Sequence, residues 1–285
     1  MTMRRAARGC APALVVAQAL FPLYWALVTS FRHGPALFSA MPIAMPDFSN
    51  YRVLLSDMAL WREAANSALC AGAVAMISML LGIPAAYALG RMEFHGRRAV
   101  LAVLLGCSML PQIAILSGLF EVICALGLYD RLGSVVFADL FFALPFTIWL
   151  LSGFFRDLPR DLDDAARLDG CGLVRRLFNI HLPLLWPGLI ATGLLTVMNC
   201  WNEFLFACTF TLSDSARTLP VGIGLISAPS RFELPFGTIM AASLLATVPP
   251  IALVLHFPVS YTHIRAHETL SEHVCPRLLE KKNGG

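Results

Sequence analysis

Lysine is almost absent from this chain. Of 285 residues only Lys281 and Lys282 are lysines, and both lie at the extreme C-terminal end. A Walker-type phosphate loop needs a lysine that reaches the phosphates, and none precedes residue 281. The G-x-S-x-G and H-E-x-x-H motifs are missing as well. We therefore do not expect the chain to be an enzyme of these classes, and it cannot be a self-sufficient ATPase of the Walker type.

Charged residues are also scarce. They make up 14% of the chain, hydrophobic residues make up 58%, and the mean hydropathy is +0.71. A soluble domain would carry about 25% charged residues. Helices that cross a bilayer need about 20 apolar residues and satisfy their backbone groups internally. We predict an all-α integral membrane protein with six transmembrane helices, at residues 10–31, 66–89, 99–120, 134–154, 185–208 and 238–257.

Arginine takes the place of lysine and sets the predicted orientation. Clusters of arginine precede span one, separate spans two and three, and separate spans four and five, whereas the opposite loops hold single arginines. Basic residues concentrate on the cytoplasmic side, so we expect a cytoplasmic N-terminus. The first span is long and lacks a small-residue cleavage site, so we interpret it as an uncleaved span rather than a signal peptide.

The eight cysteines form no C-x-x-C pair. Cys70, Cys107, Cys200 and Cys208 fall within the predicted spans, Cys10 is the first residue of span one, and Cys124 lies four residues beyond span three. Small buried apolar residues are the simplest interpretation. The pattern indicates neither a disulfide framework nor a metal site.

The loop between spans four and five, residues 155–183, is polar and rich in arginine. Pro159 and three early aspartates are suited to the start of a short helix, where acidic groups favour the positive end of the dipole. Two small residues, Ala165 and Ala166, offer a face that another protein could approach closely, and Gly170 and Gly172 are expected to end the helix. A solvated loop with a short surface helix is the alternative interpretation.

The spacing in this loop resembles the E-A-A loop of permease subunits of ATP-binding-cassette importers. Asp164-Ala165-Ala166 is followed after three residues by Gly170 and after nine more by Ile180-His181-Leu182-Pro183. Asp164 stands where the family usually has Glu. The resemblance implies a type I importer permease fold and a coupling role for Asp164, Ala165, Ala166, Gly170, Ile180 and Pro183. It also implies a second permease, two cytoplasmic ATPase subunits that bind ATP and magnesium, and an extracytoplasmic binding protein.

Further motifs along the chain are similar to those of the carbohydrate-importer branch, in particular the second permease of the maltose and trehalose type. They are Asn50-Tyr51, Asn66-Ser67, Ala85-Ala86-Tyr87-Ala88 with Arg91 and Phe94, Met109-Leu110-Pro111, Leu126-Gly127-Leu128, Pro145-Phe146, Trp149, Phe154–Pro159, Trp201–Phe204, Thr218–Val221 and Met240–Ala242. The implied substrate is an α-glucoside or disaccharide. Polyols or glycerol phosphate are the alternative substrates, and a secondary carrier that needs no ATPase is the alternative from another class.

Span five carries a stripe of polar residues. Thr192, Thr196, Asn199 and Glu203 are spaced four, three and four, which places them on one helical face. Ionisable groups at depth usually face a cavity or the bundle interior. One hypothesis is a sugar pathway formed by Thr196, Asn199, Trp201, Asn202 and Glu203. The other is polar contact between helices, which the resemblance favours because it implies that the other permease makes most sugar contacts.

The sequence suggests three segments. Residues 1–65 hold the first span and an outer loop, and residues 66–257 form the permease domain. Residues 258–285 differ in composition, with both lysines and three of the seven histidines. The string from Val259 to Thr269 resembles a translated sequencing adapter, so we expect this tail to be non-native and assign no metal role to its histidines. A genuine basic tail is the alternative.

Overall fold

Helices form the regular structure of the protein. The computed structural model describes residues 2–32, 46–226 and 235–257, with side chains from residue 14 onward, and these residues contain no strand. The predicted tail, 258–285, lies outside the described residues. The helices are Thr2–Ser30 (α1), Ser49–Ser56 (α2), Met58–Arg91 (α3), Arg97–Ser108 (α4), Gln112–Ala125 (α5), Leu132–Asp157 (α6), Asp161–Leu168 (α7), Leu173–Arg176 (α8), Leu182–Leu184 (α9), Trp186–Trp201 (α10), Leu205–Phe210 (α11), Leu219–Ile226 (α12) and Phe236–His256 (α13).

Three of these helices, α3, α6 and α13, are each long and apolar enough to cross a membrane. Two bent pairs would bring the number among the described residues to five if each is one span: α4 with α5, and the segment Leu173–Leu184 with α10. A shorter apolar helix, Leu14–Ser30, lies within α1. The all-α membrane fold is thus confirmed. Four predicted spans fall on α1, α3, α6 and α13, and the other two each fall on more than one helix.

Two predicted spans are interrupted, so the prediction of continuous helices at 99–120 and 185–208 is wrong. The first bends by 92° between α4 and α5. Pro111 lies at this break and disfavours helical geometry at the preceding residue. The second ends at Trp201, and a new short helix begins at Leu205. Proline alone does not decide such breaks, because Pro84 and Pro145 lie inside the continuous helices α3 and α6.

Helices α3 and α6 pack against each other more extensively than any other pair of described helices. It depends on glycine at position 90, where an added Cβ would stand 2.5 Å from the Cβ of Phe155. Ala86, Leu151 and Leu189 are buried around this contact. Close approach of the two backbones therefore fixes the end of the bundle where α3 and α6 terminate, which we name the arginine end because it carries Arg91, Arg97, Arg156, Arg160 and Arg176.

Loops at the opposite end are held by side chains that bond to backbone groups. Asp130, with φ of 60°, accepts hydrogen bonds through one oxygen from the amides of Leu212 and Ser213, both at 2.7 Å. The buried amide of Asn50 donates to the carbonyl of Ser30 at 2.7 Å and accepts from the hydroxyl of Thr238 at 2.9 Å. The second of these side chains ties α1, α2 and α13 together.

Candidate functional site

The loop at the arginine end folds into a short helix, α7, as the sequence predicts. Asp161, Asp163 and Asp164 occupy its first turn, where the helix dipole favours negative charge. Its end is a Schellman motif: the Cys171 amide donates to the carbonyl of Ala166 at 2.9 Å, and the Gly170 amide to that of Arg167 at 3.0 Å.

Gly170 makes this helix end possible. Its φ of 71° is in the left-handed region, and open space surrounds the position of an added Cβ. The residue is therefore required for backbone conformation and not for close packing within this chain.

A buried ionic cluster attaches α7 to the rest of the bundle. The Nε of Arg91 lies 2.9 Å from Oδ2 of Asp163, and their side chains are 5% and 14% exposed. The two terminal nitrogens of Arg91 donate to the carbonyls of Leu158 and Pro159, both at 2.8 Å. The last residue of α3 therefore binds both α7 and the chain that leads into it.

His181 completes this cluster from the other side. It is fully buried in the π-helical turn Leu177–His181, and its ring packs edge-on against Tyr87 at 5.2 Å. Nδ1 donates to the carbonyl of Arg176 at 2.9 Å, while Nε2 lies 3.3 Å from Oδ1 of Asp163 and 3.4 Å from Nε of Arg91. We name Arg91, Asp163, Arg176 and His181 the latch.

The predicted coupling residues do not share one surface. Asp164, Ala165, Gly170 and Pro183 are exposed, and Ile180 is half-buried. Ala166 is only 3% exposed, so the expectation that it belongs to an accessible face is wrong. Helical spacing places it one residue from Ala165 and about 100° around the axis, on the side that packs against the protein.

Apolar side chains project outward beside α7. Leu168 is 90% exposed, and Val174 and Phe178 are also strongly exposed. A polar cleft of about 660 Å³ also lies at this end, and six arginines line it together with Glu93, Asp163 and Asp164. The loop thus exposes apolar side chains and contributes charged ones at the arginine end.

A second candidate site is a cavity of about 590 Å³ between the bent pair α4–α5, helix α6 and the end of α10. Its size is in the range typical of small-molecule sites. The polar and charged side chains that border it are Ser108, Gln112, Asp139, Thr196, Asn199, Cys200, Asn202 and Glu203, and three phenylalanines, Phe142, Phe146 and Phe204, also line it.

Four of the five predicted pathway residues border this cavity, in different environments. Asn199 and Asn202 are exposed. Thr196 is buried, and its hydroxyl lies 3.3 Å from that of Thr147 on α6. Glu203 is not on the helical stripe, because α10 ends at Trp201. Its carboxylate accepts from the amides of Phe206 and Ala207 at 2.6 and 2.9 Å, so it caps α11.

Trp201 does not join them. Its indole nitrogen donates to the carbonyl of Ala246 on α13 at 3.1 Å, and its side chain is buried between α10 and α13. Trp201 is not one of the described residues that border this cavity. Trp201 lies on a different side of α10 from Asn199, because the two residues are about 200° apart around the helix axis. It lines a smaller cavity of about 380 Å³ together with Asn202, and its place in a sugar pathway stays a prediction.

Asp139 is a site residue that the sequence analysis missed. It lies in α6, is 5% exposed, and borders the cavity. Its Oδ2 is buried and has no hydrogen-bond partner among the described residues. An ionisable residue within a predicted span was the available signal.

Known proteins show clear similarity to the chain. Residues 61–266 match the family of binding-protein-dependent transport system inner membrane components. The chain is 38% identical over 241 residues to the trehalose/maltose transport system permease protein MalG of Thermococcus litoralis, covering 84% of this chain and 86% of that one. It is 34% identical over 245 residues to the trehalose transport system permease protein SugB of Mycobacterium tuberculosis, covering 86% and 89%.

A solved structure agrees with the fold. The crystal structure of a bacterial importer of the acidic polysaccharide alginate has a chain that superimposes with a TM-score of 0.76 at 21% identity, over 91% of this chain and 96% of that chain. The match to the family extends nine residues beyond the predicted domain boundary at 257. The boundaries at 66 and 257 remain predictions.

Proposed function

Because the chain belongs to the family of binding-protein-dependent transport system inner membrane components, we propose that it is the permease subunit of an ATP-driven sugar importer. It is a transport subunit of the inner membrane and not an enzyme. The proposed substrate is an α-glucoside or disaccharide. This rests on similarity to permeases named for trehalose and maltose and on a cavity lined by amides and phenylalanines, which suits a polyhydroxylated ligand.

The proposed partners are a second permease, a dimer of cytoplasmic ATPases that binds ATP and magnesium, and an extracytoplasmic sugar-binding protein. In this scheme the ATPase docks on the exposed side of α7, at Asp164, Ala165 and Leu168, while the latch on the opposite side joins α7 to α3. Closure of the ATPase dimer then moves α3 and α7 together. ATP and sugar would act by biasing one equilibrium between inward- and outward-facing states.

The coupling proposal rests on the difference between the two sides of α7. One side is held by a buried ion pair, and the other leaves a leucine 90% exposed. Leu168 is not alone, because Val174 and Phe178 of the same loop are also strongly exposed, and exposed apolar residues that form a patch mark interaction sites.

The test uses co-expression of all four components. The complete set should show sugar-stimulated ATP hydrolysis and uptake, whereas this chain alone should transport nothing; uptake by the chain alone would instead indicate a secondary carrier. Leu168→Asp should reduce co-purification of the ATPase while the two permeases still associate. Leu212→Asp changes an exposed leucine at the opposite end of the bundle and should leave ATPase co-purification unchanged. Equal ATPase recovery in both variants would contradict docking on α7.

A further inference from the structure

The cleft at the arginine end carries more positive charge than its own carboxylates neutralise. Six arginines and three carboxylates line it among the described residues, which leaves an excess of three positive charges. The arginines come from the ends of several elements, and they are Arg91, Arg97, Arg156, Arg160, Arg167 and Arg176. A cleft lined by one sign of charge raises the local concentration of ions of the opposite sign. This cleft therefore favours an anion.

Two of the three carboxylates are already engaged with arginines. Asp163 lies 2.9 Å from Arg91 and 3.6 Å from Arg176 in the latch. Glu93 pairs with Arg160 at 3.0 Å, but both side chains are more than 70% exposed. An exposed pair of this kind is weak, so Arg160 can turn to another anion. The excess positive charge thus lies on arginines outside the latch.

Arg156 and Arg167 have guanidinium nitrogens that a ligand can reach. Both residues are exposed and line the cleft. The Nε of Arg156 donates to the carbonyl of Ser152 at 3.2 Å, and its two terminal nitrogens have no hydrogen-bond partner among the described residues. Arg167 makes no hydrogen bond or ion pair with any described residue. Guanidinium groups bind phosphate through pairs of parallel hydrogen bonds, so these two arginines suit a phosphate group.

The cleft lies on the latch side of α7. Arg167 follows Asp163 by four residues, which places the two on one face of this helix, and both line the cleft. Leu168 and Ala165, on the side proposed for the ATPase, do not line it. Asp164 alone belongs to both surfaces. A ligand in the cleft therefore contacts α7 mainly from the side of the bundle.

The position of the cleft and its apolar border favour a lipid over a free phosphate ion. Helices α3 and α6 are each long enough to cross a membrane. Arg91 is the last residue of α3 and Arg156 the last but one of α6, so the cleft lies where lipid headgroups are found. Met92 and Leu173 line it and are 41% and 42% exposed, which provides apolar contact beside a phosphate. Basic pockets between membrane helices bind anionic headgroups.

We propose that this cleft binds the phosphodiester headgroup of an anionic membrane lipid, with Arg156 and Arg167 as its phosphate contacts. The bound lipid joins the end of α6 to α7 beside the latch. This inference goes beyond the proposed function, because it depends on the membrane location of the chain and not on the identity of the sugar.

The experiment measures photocrosslinking of phosphatidylglycerol to this chain in the complete complex, in nanodiscs of otherwise zwitterionic lipid. The photoreactive group is on the acyl chain, which leaves the headgroup intact. Phosphatidylcholine with the same acyl chain is the probe without net charge. The variants are Arg156→Gln and Arg167→Gln, which remove charge from two different helices, and the corresponding lysine variants, which keep it. The matched control is Arg175→Gln, because Arg175 is exposed in the same loop but does not line the cleft.

We expect each glutamine variant to raise the half-saturating fraction of phosphatidylglycerol by about fivefold, as for loss of one basic residue at an anionic surface. The lysine variants should recover most of the labelling, and Arg175→Gln should stay within about twofold of the wild type. An equal effect of Arg175→Gln would show diffuse surface charge and overturn the proposal, as would equal labelling by phosphatidylcholine.

An excess of inorganic phosphate distinguishes the two sources of phosphate. Labelling by phosphatidylglycerol that persists in this excess supports a lipid site. Labelling that the excess abolishes assigns the cleft to a free phosphate ion and overturns the lipid assignment. A complex that labels as expected but transports no sugar contradicts the proposed function and leaves the lipid site supported.

Discussion

Arg91 and Asp163 form a buried ion pair at 2.9 Å between the last residue of α3 and the first turn of α7. The two residues are 72 positions apart in sequence, by the difference of their numbers. The pair joins a membrane-crossing helix to the helix proposed to contact the ATPase. Substituting either residue of this pair therefore tests what attaches α7 to the rest of the bundle.

Removing one partner of the pair should loosen α7. Arg91→Ala leaves the carboxylate of Asp163 buried without its nearest cation and deprives two carbonyls of their donors, so we expect a loss of about 3 kcal/mol in the local stability of α7. Hydrogen exchange of the amides of residues 161–171 in the purified complex measures this loss directly.

Arg160→Ala is the matched control. Arg160 pairs with Glu93 at 3.0 Å, but the two side chains are 78% and 74% exposed. An exposed pair contributes less than about 1 kcal/mol, so exchange in α7 should stay close to that of the wild type. Similar exchange rates in Arg91→Ala and Arg160→Ala would show that the buried pair does not hold α7.

Gly170 should tolerate substitution worse than Gly172. An alanine in the left-handed region costs about 1 to 2 kcal/mol, and Gly170 has φ of 71°. Gly172 has φ of −66° and open space around it, a conformation that alanine adopts without strain, so its alanine variant should lose less stability at the end of α7 than Gly170→Ala. Amide exchange at the end of α7 distinguishes the two variants.

Gly170→Asp adds charge as well as strain at the proposed docking surface. This variant should reach the membrane and lose sugar-stimulated ATP hydrolysis. Normal coupled transport by Gly170→Asp would count against the coupling role of this loop.

Asp130 should make the stability of the protein depend on pH at the end opposite the latch. Hydrogen bonds from the amides of Ser213 and Leu212 lower the pKa of this carboxyl group below its ordinary value. A depressed folded pKa contributes stability above the pKa of the unfolded chain, and that stability is lost as the pH falls through the folded pKa. The thermal midpoint of the wild type should therefore exceed that of Asp130→Asn near neutral pH.

This difference between the two midpoints should shrink as the pH is lowered into the acid range. Ser213→Ala removes the hydroxyl that donates to Asp130 at 3.0 Å and keeps both amide donors, so it should show a smaller loss at neutral pH than Asp130→Asn. A difference that stays constant with pH would disagree with this role of the carboxylate.

Substitution of Glu203 should mainly lower stability, whereas substitution of Asn199 should mainly change sugar uptake. Glu203→Gln keeps one acceptor oxygen and leaves one buried amide of α11 without a partner, at a cost of about 1 to 3 kcal/mol. We expect a lower thermal midpoint and a lower yield of complex. Asn199→Leu changes an exposed residue of the cavity and should alter sugar uptake with little change in stability. Unchanged stability of Glu203→Gln would contradict its capping role.

Short-range patterns in the sequence predict much of this structure. The apolar segments locate the helices because each span is encoded by consecutive residues, and the loop spacing locates α7 with its glycine end because a Schellman motif involves only six neighbouring residues. The coupling role of the loop stays a prediction, since docking on a partner is not visible in one chain.

Features that depend on tertiary contacts could not be predicted in the same way. The pairing of Arg91 with Asp163 requires that distant helices meet, and the capping of α11 by Glu203 requires that α10 ends early. The predicted stripe included Glu203 because a spacing of four residues fits one face of an uninterrupted helix. The sequence does not show that α10 ends two residues earlier. Asp139 could have been predicted as a site residue from the sequence, because an acid inside an apolar span costs free energy. Only the structure shows that one of its oxygens lacks a hydrogen-bond partner among the described residues.

Helix α6 has a consequence for how the two candidate sites can communicate. Asp139 lies near one end of α6 at the cavity, and Phe155 lies near the other, with its ring 6.2 Å from that of His181 in the latch. Sixteen residues of helix separate them, or about 24 Å. Asp139 in the cavity wall and Phe155 beside the latch therefore belong to one continuous helix. Any tilt of that helix at the arginine end displaces Asp139 in the wall of the cavity at the far end, with Pro145 between them as the one position in its middle where the backbone lacks an amide donor.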